Sequence, residues 1–293
     1  MQATQEDVQL KVQKIIGKID KLPTPPFVFQ QINKVINNPH TSAFDIAAII
    51  SEDAALTAKV LKLTNSVFYG RTQEIKDVKQ AVIVVGLDAL KNIVLSSSLI
   101  DSVGKNSPNR EYTESFWRHS LAVAFLSKIL ARNYDKSNLK LQEEAFSAGI
   151  LHDIGKLVIS SHLMEMHAEK IQLVKLKAKC EYEIENEVFE CNHTDIGQYF
   201  GESWKLPSEL VEAINCHHEP QEKGEKNPLI NLIHISNFLI HSSENPTIHG
   251  IAQKTWTFYP DCWEQLSLSP KLIHKLLEEF ETEYAKAETF LQI

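Results

Sequence analysis

The feature that most constrains the fold is the helical spacing of apolar residues along almost the whole chain. Val8, Val12, Ile15, Ile16 and Ile19 recur every three or four residues, and this spacing returns in most later segments. Strand-like alternation of polar and apolar residues is hard to find. Only ten glycines occur in 293 residues, whereas strand-dense folds and phosphate-binding loops use glycine heavily. The sequence therefore predicts an all-α protein, a multi-helix bundle.

Local signals indicate where helices begin and end. Ser42 and Asp53 precede apolar runs and suit N-caps, and Thr24 followed by two prolines suits a helix start. In the second half we expect helices at residues 112–133, 139–151, 162–178, 181–190, 194–203, 207–216, 229–240 and from 270 onward. Gly155 predicts a turn directly after the second of these, with Lys156 a mobile cation beside it.

The segment from residue 101 to residue 111 is the clearest linker candidate, because it holds Gly104, Ser107 and Pro108 with few apolar anchors. We therefore predict one helical half at residues 1–108 that packs on a second helical half at residues 109–293. Whether these halves are independent domains or share one core stays open at this point.

Composition argues against several classes of function. The net charge of −8 gives no basic stripe for nucleic acid. No run approaches the ~20 apolar residues that span a bilayer, and the N-terminus lacks the apolar segment of a secretion signal. The four cysteines form no Cys-x-x-Cys pair and indicate reduced thiols. We expect a cytoplasmic protein that binds neither nucleic acid nor a membrane.

The twelve histidines are unevenly distributed. Five of them adjoin apolar stretches of the second half: His119, His152, His193, His217 and His218. A single histidine of this kind is usually a satisfied polar group at the margin of a core. His152 differs because Asp153 follows it at the end of an apolar helix, where an unpaired carboxylate would be costly. Imidazole nitrogen with carboxylate oxygen suits Fe, Mn, Zn, Ni or another divalent first-row ion.

Two other sets of residues are not assigned to this site. The lysines of one segment are predicted to form a solvated helix face: Lys170, Lys175, Lys177 and Lys179. Five further histidines have no partner that the sequence identifies: His162, His167, His241, His249 and His274.

Nine motifs in a fixed order carry a family resemblance. They lie at residues 22–26, 50–56, 65–70, 81–87, 116–120, 151–156, 193–197, 204–207 and 216–220. Together they resemble the HDOD domain family, an offshoot of the HD and HD-GYP superfamily of metal-dependent phosphohydrolases. The resemblance covers about residues 20 to 220.

The resemblance implies a helical bundle with an HD-like second half and a role in bacterial signal transduction, since most members act as regulatory or scaffolding modules. By position it also implies six metal ligands: His119, His152, Asp153, His193, His217 and His218. Lys156 matches the lysine that approaches the substrate phosphate in HD-GYP enzymes.

Two departures from the superfamily pattern bear on activity. Asn237 stands where the superfamily closes its first metal site with an aspartate, and an amide oxygen brings no charge to a metal. Residues 220–226 replace the Gly-Tyr-Pro motif that should follow His217 and His218. Both departures argue against HD-GYP hydrolysis of cyclic dinucleotides.

Two functions follow from these residues. The first is a signal-transduction regulatory module whose pocket holds one or two metal ions or none, and which acts by binding a signalling protein. The second is an active metal-dependent phosphohydrolase or phosphodiesterase with a mono- or dinuclear site and a phosphorylated small molecule or nucleotide as substrate. In that case Lys156 and Asp153 would be catalytic. We favour the first, and whether the chain is an enzyme stays open.

Overall fold

The computed structural model describes residues 5–17, 19, 27–36, 42–64, 75–87, 90, 94, 110–177, 179–224, 226–243 and 259–288. Every regular element within those ranges is a helix, which confirms the predicted fold class. Three predicted features lie outside the described residues: the helix start at 22–26, the motif at 65–70 and most of the linker. The boundary at residue 108 and His249 also lie outside them, so the division into halves stays a prediction.

Five helices are described before residue 108: α1 (Gln5–Ile16), α2 (Phe27–Ile36), α3 (Ala43–Ser51), α4 (Ala54–Thr64) and α5 (Val78–Val85). The predicted caps at Ser42 and Asp53 are confirmed. Ser42 is the N-cap of α3, and its N donates to Asp45 Oδ2 at 2.8 Å as part of a capping box, while Leu56 N donates to Asp53 Oδ1 at 3.0 Å. α5 ends at Gly86, whose φ of 88° favours glycine.

Eleven helices are described after residue 108: α6 (Arg110–Tyr134), α7 (Leu139–Leu151), α8 (Ile154–His162), α9 (Met164–Lys177), α10 (Glu181–Phe189), α11 (His193–Ser203), α12 (Ser208–Cys216), α13 (Gln221–Gly224), α14 (Pro228–Ser242), α15 (Pro260–Gln265) and α16 (Pro270–Glu288). The predicted helices are present with ends shifted by a few residues, whereas α8, α13 and α15 were not predicted. The predicted turn at Gly155 is wrong, because this glycine lies inside α8.

The long helix α6 is the centre of the packing, with α7, α14 and α16 against it. A Cβ on Gly149 of α7 would lie 2.4 Å from Ala124 Cα, so this glycine lets α7 approach the backbone of α6. α1 packs against α11, and Lys11 Nζ lies 2.9 Å from Glu190 Oε2. Most of the buried apolar residues form one contiguous cluster that extends from Val12 to Tyr284.

Two predictions from composition can be compared with the structure. The four cysteines are buried and form no disulfide. Within the described ranges, none of the helices combines the length and the apolar character that crossing a membrane requires.

Candidate metal centre

Four places in the second half deliver the six predicted histidine and aspartate ligands to one buried region. His119 lies on α6, and His152 and Asp153 connect α7 to α8. His193 is the first residue of α11, and His217 and His218 follow α12. All six side chains are buried, and His218, at 7% exposure, is the most accessible of them.

Local structure explains how three of these ligands are positioned. His152 and Asp153 do not share a continuous helix, because α7 ends at Leu151 and α8 begins at Ile154. Asn192 caps α11 and starts it at His193, since its side chain accepts from Thr194 N at 2.8 Å. A Cβ on Gly155 would lie 1.9 Å from the carbonyl oxygen of His193, so glycine is required for the close approach of α8 to α11.

The carboxylate of Asp153 is the centre of the arrangement, and each of its oxygens faces a different pair of histidines. Oδ1 lies 3.2 Å from His193 Nε2 and 3.4 Å from His217 Nε2. Oδ2 lies 3.3 Å from His152 Nε2 and 3.8 Å from His119 Nε2. The side chain thus joins the two groups.

Each group offers a set of converging ligand atoms. In the first, one atom each of His119, His152 and Asp153 lie within 4.8 Å of one another. In the second, Asp153, His193, His217 and His218 satisfy the same limit. His218 Nε2 lies 3.1 Å from His193 Nε2. We call these the first and second groups.

Two of the histidines are held with Nε2 directed at Asp153. His152 Nδ1 donates to Gly149 O at 2.8 Å, and His217 Nδ1 donates to Ile214 O at 2.8 Å. A carbonyl oxygen only accepts, so the proton is on Nδ1 and the lone pair of a neutral ring is on Nε2. Within the described ranges, neither Nε2 makes a well-formed hydrogen bond. A metal ion would use these lone pairs.

The protonation states also suit metal ligation. Burial lowers the pKa of His119 to about 3 and that of His217 to about 3, so both rings are neutral near pH 7. Burial acts to raise the pKa of Asp153, but its interactions with His152 and with the Lys156 ammonium group outweigh burial and hold that pKa well below its ordinary range. The site therefore offers an ionised carboxylate beside the neutral rings of His119 and His217.

Lys156 is not the mobile cation that we expected. Its Nζ lies 2.7 Å from Asp153 Oδ2 and 3.8 Å from Glu181 Oε2, and only 5% of the residue is exposed. The helical position of Lys156 on α8, three residues after Asp153, holds the ammonium group against the carboxylate.

A second buried network was missed by the sequence analysis. Lys170 is fully buried, so the predicted solvated face is wrong for this residue, whereas Lys175 and Lys177 are exposed. Lys170 Nζ lies 3.3 Å from Glu181 Oε2 and 3.1 Å from Glu185 Oε1, because α9 turns it toward α10. Nothing in the sequence separates these two glutamates from others of the same helix.

The predicted ligand Asn237 is fully buried on α14 and adjoins His119. Neither of its amide atoms makes a well-formed hydrogen bond to a described residue. His241, for which the sequence identified no partner, lies one turn later, with its ring centroid 4.5 Å from that of His119. His167 instead contacts Tyr112, and His274 lies on the surface beside Glu278.

A cavity of about 350 Å³ reaches the second group at His218. The ring of Tyr182 stacks on His218 with centroids 4.4 Å apart and an interplanar angle of 17°, and its hydroxyl donates to Glu219 Oε1 at 3.0 Å. Glu183 and Lys179 are among the other lining residues.

The donor set fits a metal ion. Imidazole with carboxylate suits first-row divalent ions, and hydrogen bonds from the far ring nitrogens are the usual support of such ligands. The buried histidine and aspartate cluster is therefore able to hold a metal, and its chemistry does not select one element.

Comparison with known proteins gives a family match and remote relatives. The family model of the HDOD domain matches residues 22–220. An uncharacterized protein of Treponema pallidum (strain Nichols) is 27% identical over 237 residues, which are 80% of this chain and 45% of that protein. Ribonuclease Y of Onion yellows phytoplasma (strain OY-M) is 28% identical over 124 residues, 42% of this chain and 18% of that enzyme. The chain spans less than half of the length of either relative.

Solved structures share the fold. A crystal structure of an HDOD domain protein of unknown function from Geobacter sulfurreducens aligns with a TM-score of 0.80 at 20% identity, covering 98% of this chain and 99% of that one. A candidate phosphohydrolase from Shewanella amazonensis SB2B aligns with a TM-score of 0.71 at 23% identity, covering 95% and 97%. At these identities the alignments show a common helical fold.

Proposed function

The chain belongs to the HDOD domain family, and on that premise we propose that it is a regulatory signal-transduction module. In this proposal it binds a divalent metal ion in the buried centre and acts through a signalling protein partner. The observation that carries the proposal is the burial of the centre. Lys156 is bound to Asp153, and among the described residues that line the cavity, His218 is the one member of the six ligands.

The position of Lys156 supports a regulatory function over hydrolysis. In a hydrolase, the expected role of Lys156 is to face the phosphate oxygens and stabilise the charge that develops on them. The Lys156 ammonium instead faces two protein carboxylates, Asp153 at 2.7 Å and Glu181 at 3.8 Å. A phosphate would have to displace this buried pair, and breaking such a pair is costly.

The charges around the cavity also favour a regulatory function over hydrolysis. The described lining residues include three carboxylates, Glu183, Glu187 and Glu219, and a single cation, Lys179. Lys179 itself pairs with Glu187. The carboxylates that line the cavity repel a phosphate dianion, because like charges oppose binding.

The second group is the better metal site of the two. It combines Asp153 with His193, His217 and His218, whereas the first group has His119, His152 and the other oxygen of Asp153. Asn237 leaves the first group without a second carboxylate. We propose one ion of Fe, Mn, Zn or Ni at the second group, with a weaker second ion at the first. A bound ion would link α8, α11 and α12 and, in an enzyme, would act as a Lewis acid.

The alternative function is a metal-dependent phosphohydrolase or phosphodiesterase that uses Lys156 and Asp153. One observation favours it, namely that the two oxygens of Asp153 face separate groups, as a bridging ligand of a dinuclear centre would. The similarity to ribonuclease Y, and the shared fold with a candidate phosphohydrolase, are compatible with this alternative.

Metal analysis combined with hydrolysis assays distinguishes these functions. The wild-type chain would be compared with His152→Ala and Asp153→Ala, and with His274→Ala as a surface control. We expect bound metal in wild type and control, reduced metal in both site variants, and no hydrolysis of phosphomonoesters, cyclic dinucleotides or RNA.

Two results would contradict the proposal. Metal-dependent hydrolysis that Asp153→Ala abolishes would establish the enzymatic alternative. A folded wild-type chain that takes up no metal above background would refute the metal-binding function.

A further inference from the structure

Glu185 holds the side chain of His193 in one orientation. The residue is fully buried, and its Oε2 accepts from His193 N at 2.8 Å and from His193 Nδ1 at 2.5 Å. Because both donors belong to one residue, the ring is fixed relative to its own backbone. The opposite nitrogen, Nε2, then lies 3.2 Å from Asp153 Oδ1 and 3.1 Å from His218 Nε2.

Lys170 in turn holds Glu185. Its Nζ lies 3.1 Å from Glu185 Oε1, the oxygen that His193 does not use, and 3.3 Å from Glu181 Oε2. A fully buried ammonium group is costly unless it is paired, so the two glutamates and the lysine require one another. The Glu185 carboxylate is thus fixed through both of its oxygens.

These contacts close into a ring of buried side chains around the second group. Its members are Asp153, Lys156, Glu181, Lys170, Glu185 and His193. The ring contains three carboxylates and two ammonium groups, so these five side chains together carry one net negative charge. A cation beside Asp153 and His193 would offset that charge.

From this geometry we infer that Glu185 is a positioning residue for His193 as a metal ligand, and that Lys170 is the anchor of Glu185. The inference rests on the proposed metal-binding function. A carboxylate behind a ligating imidazole orients the ring and raises its basicity, and losing such a partner typically weakens metal binding roughly 10–100-fold.

The test compares Glu185→Gln with Glu187→Gln in the full chain. Glu187 lies on the same helix but pairs with Lys177 at 3.0 Å on the surface, so it is a matched control. Zn²⁺ affinity would be measured by competition with a chelator. We expect a loss of roughly 10–100-fold for Glu185→Gln and wild-type affinity for the control. Equal affinities in wild type and Glu185→Gln would overturn the inference.

A double-mutant cycle separates positioning from a general structural effect. If Glu185 acts through His193, Glu185→Gln should cause no further loss of Zn²⁺ affinity in a His193→Ala background. An equal loss in both backgrounds would mean that Glu185 only supports the fold. Glu185→Asp is a second variant, which keeps the charge beside Lys170 but shortens the reach to His193. We expect it to have intermediate affinity.

A measurement on chelator-treated protein distinguishes failure of this inference from failure of the proposed function. The proton between His193 Nδ1 and Glu185 should appear as a slowly exchanging, far-downfield NMR signal. It should be present in wild type and Glu187→Gln and absent from Glu185→Gln and His193→Ala. Absence from wild type would overturn the inference. Presence without Zn²⁺ binding would refute the metal function and the ligand role of His193.

Discussion

Asp153 carries most of the electrostatics of the candidate centre. It is the carboxylate common to both groups, and its charge is partly offset by Lys156 at 2.7 Å. Asn237, fully buried beside His119, adds no charge where the HD pattern has an aspartate. At the residue scale, we therefore expect this one amide to limit metal binding at the first group.

We expect Asn237→Asp to increase metal binding at the first group, because it adds a carboxylate beside His119. In the presence of a chelator the same variant should unfold at a lower temperature than wild type, since an unpaired buried carboxylate costs about 3 kcal/mol or more in the free energy of unfolding. Metal content and thermal unfolding, with and without Zn²⁺, measure both effects.

Asn231→Asp is the control for that experiment. Asn231 is buried on the same helix, but it donates to Gly224 O at 3.2 Å and lies in neither group. The loss of thermal stability in Asn231→Asp, relative to wild type, should be the same with and without Zn²⁺. A folded Asn237→Asp protein with wild-type metal content would contradict the prediction.

At the scale of elements, the centre depends on where helices end. Because α7 ends before His152 and α8 begins after Asp153, these two adjacent side chains do not have to point in different directions as they would on one continuous helix. α8 then approaches the first residue of α11 closely enough that only glycine fits at position 155. These two features place Asp153 Oδ1 3.2 Å from His193 Nε2.

Gly155→Ala should separate α8 from α11, because the added Cβ would meet the His193 carbonyl oxygen at 1.9 Å. We expect a loss of roughly 3 kcal/mol in the free energy of unfolding, together with weaker Zn²⁺ binding. Urea denaturation and chelator competition measure the two effects.

Gly201→Ala, on α11, is the control, because the nearest atoms to its Cβ belong to side chains and not to a backbone, the closest being Val211 Cγ2 at 3.1 Å. It should change stability less and leave Zn²⁺ affinity unchanged. Wild-type stability and wild-type Zn²⁺ affinity in Gly155→Ala would contradict the prediction.

At the scale of the whole molecule, the apolar residues of both predicted halves form one cluster. α1 packs on α11, the helix that begins with His193, so the N-terminal half supports the region of the centre. A shared core favours cooperative unfolding of the two halves.

We therefore predict a single unfolding transition in urea. All four tryptophans follow residue 108, so their fluorescence reports on the second half, whereas circular dichroism reports on every helix. The two curves should coincide. Separate midpoints would instead support independent domains at residues 1–108 and 109–293.

The metal-free protein should also lose stability as the pH falls below about 6.5. Burial lowers the pKa of His119 and of His217 to about 3 and that of His167 to about 4, from 6.5. The unfolded chain therefore binds more protons in this window, and each such proton costs about 1.4 kcal/mol per pH unit. His193 acts in the opposite sense, because Glu185 outweighs burial and raises its pKa.

Urea denaturation in a chelator at pH 7 and pH 5 measures this loss. His167→Gln should reduce the difference between the two pH values, since it removes one of the neutral buried histidines. Equal stability at both pH values would contradict the prediction.

The sequence by itself determined the helical fold class, most of the helices to within a few residues, and the residues that converge on Asp153. These features depend on local information, namely apolar spacing, capping side chains such as Ser42 and Asp53, and motifs in a fixed order. The roles of Lys156, Lys170 and Gly155 were decided only by the tertiary structure. Each depends on contacts between separate helices: an ammonium group becomes a buried partner, and a glycine becomes a point of close approach, only when another element packs against it.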